Sequence, residues 1–172
     1  GGTQNIALGN YVLDALTSGD GNVALGYNAM TAMTTGDNNV GIGRGAMLAQ
    51  TTASDNVAIG TYSMDSNTTG TSNIAVGTTT MRANTTGVRN IAIGHDAYNS
   101  SDTENDNIAI GYAAMTTNTA GGTYNIAVGN YALDALTSGD YNIAIGGSAG
   151  TAITTGGDNT IVGYLAGNAL TS

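Results

Sequence analysis

A five-residue motif recurs along the whole chain at an almost constant interval, and this repeat limits the folds that the sequence allows. The motif is Asn, aliphatic, small, aliphatic, Gly, as in NIAIG at residues 90–94. Its ten copies begin at Asn5, Asn22, Asn39, Asn56, Asn73, Asn90, Asn107, Asn125, Asn142 and Asn159. Successive copies lie 17 residues apart, except for one step of 18 between Asn107 and Asn125. This period predicts an array in which each coil packs on its neighbours.

The array accounts for the whole chain, so residues 1–172 are predicted to form a single repeat array with no separate domain. Each coil is numbered here from its Asn, which is position zero. The extra residue of the seventh coil falls in the stretch TAGGTY (119–124). We expect it to be a one-residue insertion in a loop.

Within the motif, large and small residues alternate as they do on a β-strand. Positions one and three are Ile, Val or Leu in nearly every coil, and position two is Ala or Gly in nine of ten. This alternation predicts that Ile91 and Ile93 fill a core while Ala92 faces outward. Position four is Gly in all ten coils, which favours a tight corner after the strand.

The second half of each coil has a different spacing. In NYALDALTSG (130–139), the apolar residues stand at positions seven, eight, ten and eleven, and a Gly follows. That spacing favours a short helical turn ended by the Gly. A second short strand is the alternative, because TYSMDSNTTG (61–70) keeps Met64 but has Asn67 at position eleven.

A single coil offers too few apolar side chains to offset the entropy of ordering 17 residues. Stacked coils pair each strand with the next at about 4.8 Å and join their apolar positions into one core. The predicted fold is therefore a β-solenoid of ten coils, about 45 Å long at that spacing. The repeated Asn residues are predicted to form a ladder at one corner, each amide bonding to backbone or to the next Asn.

The two ends of the chain are in register with the repeat. Joined head to tail, ALTS (169–172) and GGTQN (1–5) match NTAGGTYN (118–125) in length. Uncapped solenoid ends invite further pairing. We therefore expect either a segment of a longer array or a subunit that stacks end on end into a filament.

The composition of the chain argues against some classes of binding partner. The net charge is −9, with Arg44, Arg82 and Arg89 as the only Lys or Arg residues. This balance argues against nucleic acid or an anionic membrane as partner, and the sequence has no apolar run long enough to insert into a membrane. The absence of Cys fits an extracellular, cell-surface or virion protein.

The stretches NIAIGYAAMTTNTAG (107–121) and NIAVGTTTMRANTTG (73–87) carry a family resemblance. They resemble the NTAIGYxAL…NTTG repeats found upstream of intramolecular chaperone domains in phage tail fibres and related bacterial surface proteins. The NxAIG core is more distantly similar to the head repeats of trimeric autotransporter adhesins, which build parallel β-rolls. The resemblance covers all ten coils and implies a fibrous homotrimer used for attachment to cells. The 17-residue coil of this chain is longer than the coil usual in the adhesin heads.

The sixth coil is the irregular one. Its stretch HDAYNSSDTEND (95–106) contains the only His of the chain and four carboxylates, Asp96, Asp102, Glu104 and Asp106. Clustered carboxylates suggest a calcium site, but the spacing matches neither an EF-hand loop nor a calcium-binding β-roll repeat. A charged, solvated turn is the favoured interpretation, and His95 has no partner residue at a catalytic spacing. The sequence predicts no catalytic or cofactor site.

A row of Thr residues suggests a second function. Position twelve is Thr in nine coils: Thr17, Thr34, Thr51, Thr68, Thr85, Thr119, Thr137, Thr154 and Thr171. Regular Thr rows on a flat solenoid face resemble those of ice-binding proteins. In a turn, however, hydroxyl groups more often satisfy backbone groups.

Tyr residues also recur just after the corner Gly, as at Tyr11, Tyr27, Tyr112, Tyr131 and Tyr164. They would either pack over the corners or form an amphipathic stripe that contacts a cell-surface glycan. The function that the sequence favours is a non-catalytic structural segment of a tail fibre or adhesin. Ice binding and end-to-end filament assembly remain the alternatives.

Overall fold

The computed structural model describes residues 2–118 and 120–169, which form a β-solenoid of ten coils without a helix. Each coil contributes one three-residue strand, and the ten strands form one parallel sheet in chain order. They are β1 (Ile6–Leu8), β2 (Val23–Leu25), β3 (Val40–Ile42), β4 (Val57–Ile59), β5 (Ile74–Val76), β6 (Ile91–Ile93), β7 (Ile108–Ile110), β8 (Ile126–Val128), β9 (Ile143–Ile145) and β10 (Thr160–Val162). The predicted solenoid and its coil length are confirmed.

Equivalent positions of neighbouring coils pair throughout the sheet. Ala75 lies opposite Ala92, and Ile108 lies opposite Ile126 although the seventh coil has one extra residue. The insertion therefore lies outside the strands and leaves their register unchanged. Hydrogen bonds continue from coil to coil beyond the sheet, as when the Met64 amide donates to the Thr80 carbonyl oxygen at 3.0 Å.

The second half of the coil is a series of turns, so both the helical turn and the second strand were wrong. Positions six and eight adopt left-handed backbone angles, with φ of 54° at Tyr62 and 52° at Met64. Neither a right-handed helix nor an extended strand contains such angles. The helix-like spacing arises because positions seven, eight and eleven turn inward, while amides such as that of Met64 bond to the next coil.

The inward face of the strand is the small-residue face, so the predicted orientation of the motif was wrong. Ala92 is fully buried, whereas Ile93 is 39% exposed and Ile91 is half-buried. The same holds in the strands on either side, where Ala75 and Ala109 are fully buried. The large aliphatic residues at positions one and three point out of the solenoid.

The narrow interior explains this orientation. Position eight carries a fully buried Met in five coils, at Met30, Met47, Met64, Met81 and Met115. Met30 lies against the next strand, where a Cβ added to Gly41 would stand 2.7 Å from its terminal methyl carbon. Because the methionine already fills the interior, the middle strand position has room only for Ala or Gly.

In the last two coils the large and small residues exchange places, so that position eight is small and the strand position is large. Position eight of the ninth coil is Gly150, and position two of the tenth coil is Ile161, which is buried. A Cβ on Gly150 would lie 2.8 Å from a methyl carbon of Leu133 and 3.4 Å from one of Ile161. The larger strand residue occupies the space that a methionine fills elsewhere.

The Gly at position four is required by its backbone and by its neighbour. Gly43 has φ of 133°, and a Cβ there would stand 2.5 Å from the carbonyl oxygen of Gly60 in the next coil. No other residue type adopts this angle without strain, and no side chain fits against the neighbouring backbone. The ten corners therefore stack in direct contact.

Overpacking the interior should destabilise the fold. We expect Ala75→Leu, at a fully buried position, to lower the free energy of unfolding by about 2 kcal/mol or more, because added methyl groups meet the methionine row. Urea unfolding followed by circular dichroism measures this change. The matched control is Ala15→Leu at an exposed position, expected within about 0.5 kcal/mol of the parent chain. Equal effects of the two variants would contradict the packing argument.

Candidate functional site

The ten motif Asn residues lie in one row inside a corner, and their amides bond within the chain. Asn73 is fully buried. Its backbone amide donates to Oδ1 of Asn56 at 2.9 Å, and its own Oδ1 accepts the backbone amide of Asn90 at 2.9 Å. Its Nδ2 donates to the Gly87 carbonyl oxygen at 2.8 Å, closing its own coil. These contacts serve to join coils, and they leave the Asn73 amide no atom directed at a ligand.

Removing one amide from this row should be costly. Asn73→Ala leaves the buried Asn90 amide without its acceptor. It also leaves the Gly87 carbonyl oxygen with only the long bond from Asn84 Nδ2 at 3.4 Å. We expect a cost of about 2 kcal/mol, since an orphaned buried group costs about 1–3 kcal/mol. Thermal and urea unfolding measure the loss. Asn10→Ala, at an exposed position, is the control and should be nearly neutral. A neutral Asn73→Ala would show that the row is not needed for stability.

The Thr row also joins coils through its hydroxyl groups. Thr17 Oγ1 donates to the carbonyl oxygen of Thr34 at 2.8 Å, and Thr68 Oγ1 donates to that of Thr85 at 3.0 Å. The same contact is made by Thr34, Thr51 and Thr137, whereas the nearest acceptor of the Thr85 hydroxyl is the side chain of Asp102. Thr154 is exposed, and Thr119 and Thr171 lie outside the described residues. Hydroxyl groups held in this way favour a structural role over the ordering of surface water.

The four carboxylates of the acidic coil do not share one site. Asp96 accepts the Thr79 hydroxyl and lies 2.9 Å from Nδ1 of exposed His95. Asp102 accepts the Thr85 hydroxyl at 2.8 Å. Asp106 takes two hydrogen bonds from Arg89, at 2.6 and 2.7 Å. Across the described ranges, no three His or acidic side chains are grouped as metal ligands.

Glu104 accepts backbone amides from two coils and has a structural role. It stands at position fourteen, where most coils have Gly, and it is almost fully buried. Oε2 accepts the backbone amides of Asp102 at 2.8 Å and Thr103 at 3.0 Å, and Oε1 accepts that of Gly121 at 3.1 Å. Gly121 belongs to the coil with the extra residue. The carboxylate therefore fastens the insertion to the coil before it.

Tyr98 replaces the buried methionine of the sixth coil and takes part in a polar cluster. Its hydroxyl oxygen accepts Nδ2 of Asn107 at 2.6 Å and Nδ2 of Asn118 at 3.3 Å. Burial raises the pKa of this phenol far above its usual range. Position eleven of the same coil is Ser101, where the flanking coils have Asn84 and Asn118. The hydroxyl of Tyr98 thus does for Asn118 what the Asn67 oxygen does for Asn84.

The exchange is incomplete, because three buried side-chain oxygens have no hydrogen-bond partner among residues 2–118 and 120–169. They are Asn84 Oδ1, Ser101 Oγ and Asn118 Oδ1, all at position eleven of consecutive coils. Tyr98 and Ser101 together stand in for the methionine and amide pair of the coils on either side. Tyr98 is therefore compatible with Ser at position 101, and a Met at position 98 is compatible with Asn at position 101.

This dependence predicts strong coupling between the two positions. Tyr98→Met alone removes an acceptor from buried Asn118, and Ser101→Asn alone crowds the ring, so each should destabilise. The double variant restores the pattern of the neighbouring coils, so we expect it to be more stable than the sum of the single changes by about 1–3 kcal/mol. Urea unfolding of all four chains closes the cycle. If the effects of Tyr98→Met and Ser101→Asn on the free energy of unfolding simply add, the two positions are not coupled.

The outer face of the sheet is the feature that the sequence prediction placed in the core. It carries two aliphatic columns, from positions one and three, and every member is Ile, Val or Leu except Thr160. Ile59, Ile74, Ile93 and Ile145 are 37–42% exposed. This apolar face measures roughly 45 by 10 Å from strand dimensions. An exposed apolar patch of that size is often a binding surface.

Aromatic residues line the border where each strand leads into its corner. Tyr11 and Tyr27 pack edge to face, with ring centroids 5.8 Å apart. His95 stacks on Tyr112 at 5.5 Å, and Tyr112 contacts Tyr131 at 5.3 Å. The four Tyr rings nevertheless remain 43–60% exposed. They pack on each other along the border, and their outer edges stay open to solvent.

The described surface offers no enclosed site. Residues 2–118 and 120–169 form no pocket and include no helix that is long and apolar enough to cross a membrane. Comparison of the chain with protein-family models, curated proteins and solved structures finds no match. The apolar face and the aromatic residues beside it are the most extended exposed apolar features of the described residues.

Proposed function

We propose that the chain is a non-catalytic structural segment of an extracellular fibre, of the tail-fibre or adhesin kind, and that it serves attachment in its parent protein. The observation that carries this proposal is the apolar outer face of the sheet. A free rod in water gains nothing from exposing ten rungs of Ile, Val and Leu. In a fibre, copies of the chain can bury this face against one another, and that burial stabilises the assembly.

The homotrimer implied by the repeat resemblance fits this face. Three rods whose sheets turn toward a common axis bury all three apolar faces and leave the turns in solvent. The turn side carries exposed polar residues such as Thr52, Thr69 and Thr86, which suits a solvent-facing surface. The open edges of the Tyr rings are where such a fibre would contact a cell-surface glycan.

The solenoid also suits a spacer that must resist extension along its axis. Hydrogen bonds join each coil to the next at the strand, at the Asn row and at the Thr row. The Thr row is the basis of the ice-binding alternative, and its hydroxyl groups donate to backbone oxygens instead. These contacts support a structural role over ice binding.

Assembly through the apolar face is directly testable. We expect the purified chain to have a native mass three times its 17.0 kDa monomer mass, measured by light scattering after size exclusion. Ile59→Lys with Ile93→Lys should give a folded monomer, because buried unpaired charges prevent association. Thr52→Lys with Thr86→Lys, on exposed positions of the turn side, should leave the mass unchanged.

Electron microscopy of the same sample separates the alternatives. Particles about 45 Å long, the length of ten stacked strands, agree with a discrete side-by-side assembly. Rods of unlimited length would favour the end-to-end filament. A monomer that stays monomeric at high concentration would overturn the proposal, and ice-crystal shaping by that monomer would favour ice binding.

A further inference from the structure

The two borders of the apolar face differ in charge. The border after the strands, here called the aromatic border, holds Tyr11, Tyr27, Arg44, Tyr62, His95, Asp96, Tyr112, Tyr131 and Tyr164 at positions five and six. The border before the strands, here called the acidic border, holds Asp20, Asp37, Asp55, Asp106, Asp140 and Asp158 at positions fifteen and sixteen, together with Arg89 and the stacked pair Tyr124 and Tyr141. The apolar face lies between them.

Arg44 is distinctive among the three arginines. Within the described residues, Arg82 is paired with Asp65 at 3.3 Å and Arg89 with Asp106 at 2.6 Å, whereas Arg44 has no carboxylate within ion-pair distance. Its guanidinium carbon instead lies 5.9 Å from the ring centroid of Tyr27 and 5.6 Å from that of Tyr62. Two rings from the flanking coils thus hold an exposed cation in place.

The acidic border carries carboxylates at the same height along the rod. Asp37 precedes β3, which Arg44 follows, and Asp55 precedes β4. The strand between the two borders spans about 10 Å, so Arg44 is separated from these acids in its own chain. Asp37 accepts the Asp20 amide through Oδ1 at 2.8 Å, and Asp55 accepts Asn38 Nδ2 through Oδ1 at 3.3 Å. Each of these carboxylates has a second oxygen that can accept another bond.

Resting on the proposed side-by-side assembly, we infer that Arg44 of one copy pairs with Asp37 and Asp55 on the acidic border of a second copy. The contact joins unlike borders, so it forms only between copies that run in the same direction with their apolar faces turned to the same axis. Antiparallel neighbours would bring like borders together. Unlike borders meeting around an axis make a closed ring, and opposite charges at one height set the register.

This pairing also bears on the net charge of −9 per chain. Copies with that charge repel one another, and an arginine that is unpaired within its own chain offsets part of the repulsion where they touch. Arg44 is thus an orienting residue for an assembly whose free energy comes mainly from the apolar face.

Charge reversal tests the pairing. We expect Arg44→Glu to weaken association roughly tenfold or more, because it places like charges together, as measured by sedimentation equilibrium at low salt. Combining it with Asp55→Arg should restore association. The matched control is Arg82→Glu, an exposed arginine at position nine, in the turn half of the coil, which should leave association near that of the parent chain. Equal effects of Arg44→Glu and Arg82→Glu would overturn the inference.

Cysteine cross-linking tests the geometry independently, because the chain has no Cys of its own. In the double variant Arg44→Cys with Asp37→Cys, the two thiols of one chain are too far apart to join. Mild oxidation should therefore give only interchain disulfides, seen as trimers on a non-reducing gel. Arg44→Cys with Thr69→Cys, an exposed turn position, should give none.

The two proposals fail in different ways. A parent chain that remains a monomer overturns both. A parent chain with three times the monomer mass, in which the 44–37 disulfide does not form and Arg44→Glu has no effect, keeps the apolar assembly and overturns the border pairing.

Discussion

Hydrogen bonds between successive coils are the interaction on which the rest of this structure depends. They run from strand to strand, and through turn amides such as that of Met64. Because each coil is the template for the next, all coils must keep nearly the same cross-section. That requirement sets the size rule of the interior, where a methionine at position eight faces Ala or Gly on the strand. It also pushes the large strand residues outward, which creates the apolar face.

The regular features of this fold follow from the sequence, because they depend on spacing alone. The interval between Asn residues predicts the coil, the strand position and the pairing of Ala75 with Ala92. Alternation shows that two strand faces differ, but it does not show which face is inside. The interior width decides that, and it depends on how Met30 packs on the next coil. The turns were missed because left-handed angles occur at Tyr62 and Met64, residue types that give no sign of them.

The sequence prediction missed the apolar face, because it placed the residues of that face in the core; of the irregular sixth coil it identified the position but not the contacts. The sequence singles out the sixth coil as irregular, but its carboxylates are near one another only along the chain. Asp106 turns to Arg89, and Glu104 turns inward to the Gly121 amide. The signal for the inward role lies in three exchanges within one coil: Tyr98 for Met, Ser101 for an amide, and Glu104 for Gly. Arg44 between two rings follows only from knowing which side chains share a border.

The polar cluster of the sixth coil has a consequence for folding. A chain of nearly identical coils can pair each strand with the wrong neighbour, one coil too early or too late, and lose few contacts. The bond from Asn118 to Tyr98 and that from the Gly121 amide to Glu104 exist in one alignment only. A slip by one coil would leave Oε1 of buried Glu104 without the Gly121 amide, although Oε2 would keep the Asp102 and Thr103 amides of its own coil, and an unpaired buried carboxylate oxygen is costly. These two contacts therefore favour the observed alignment of the coils over one that is shifted by a single coil.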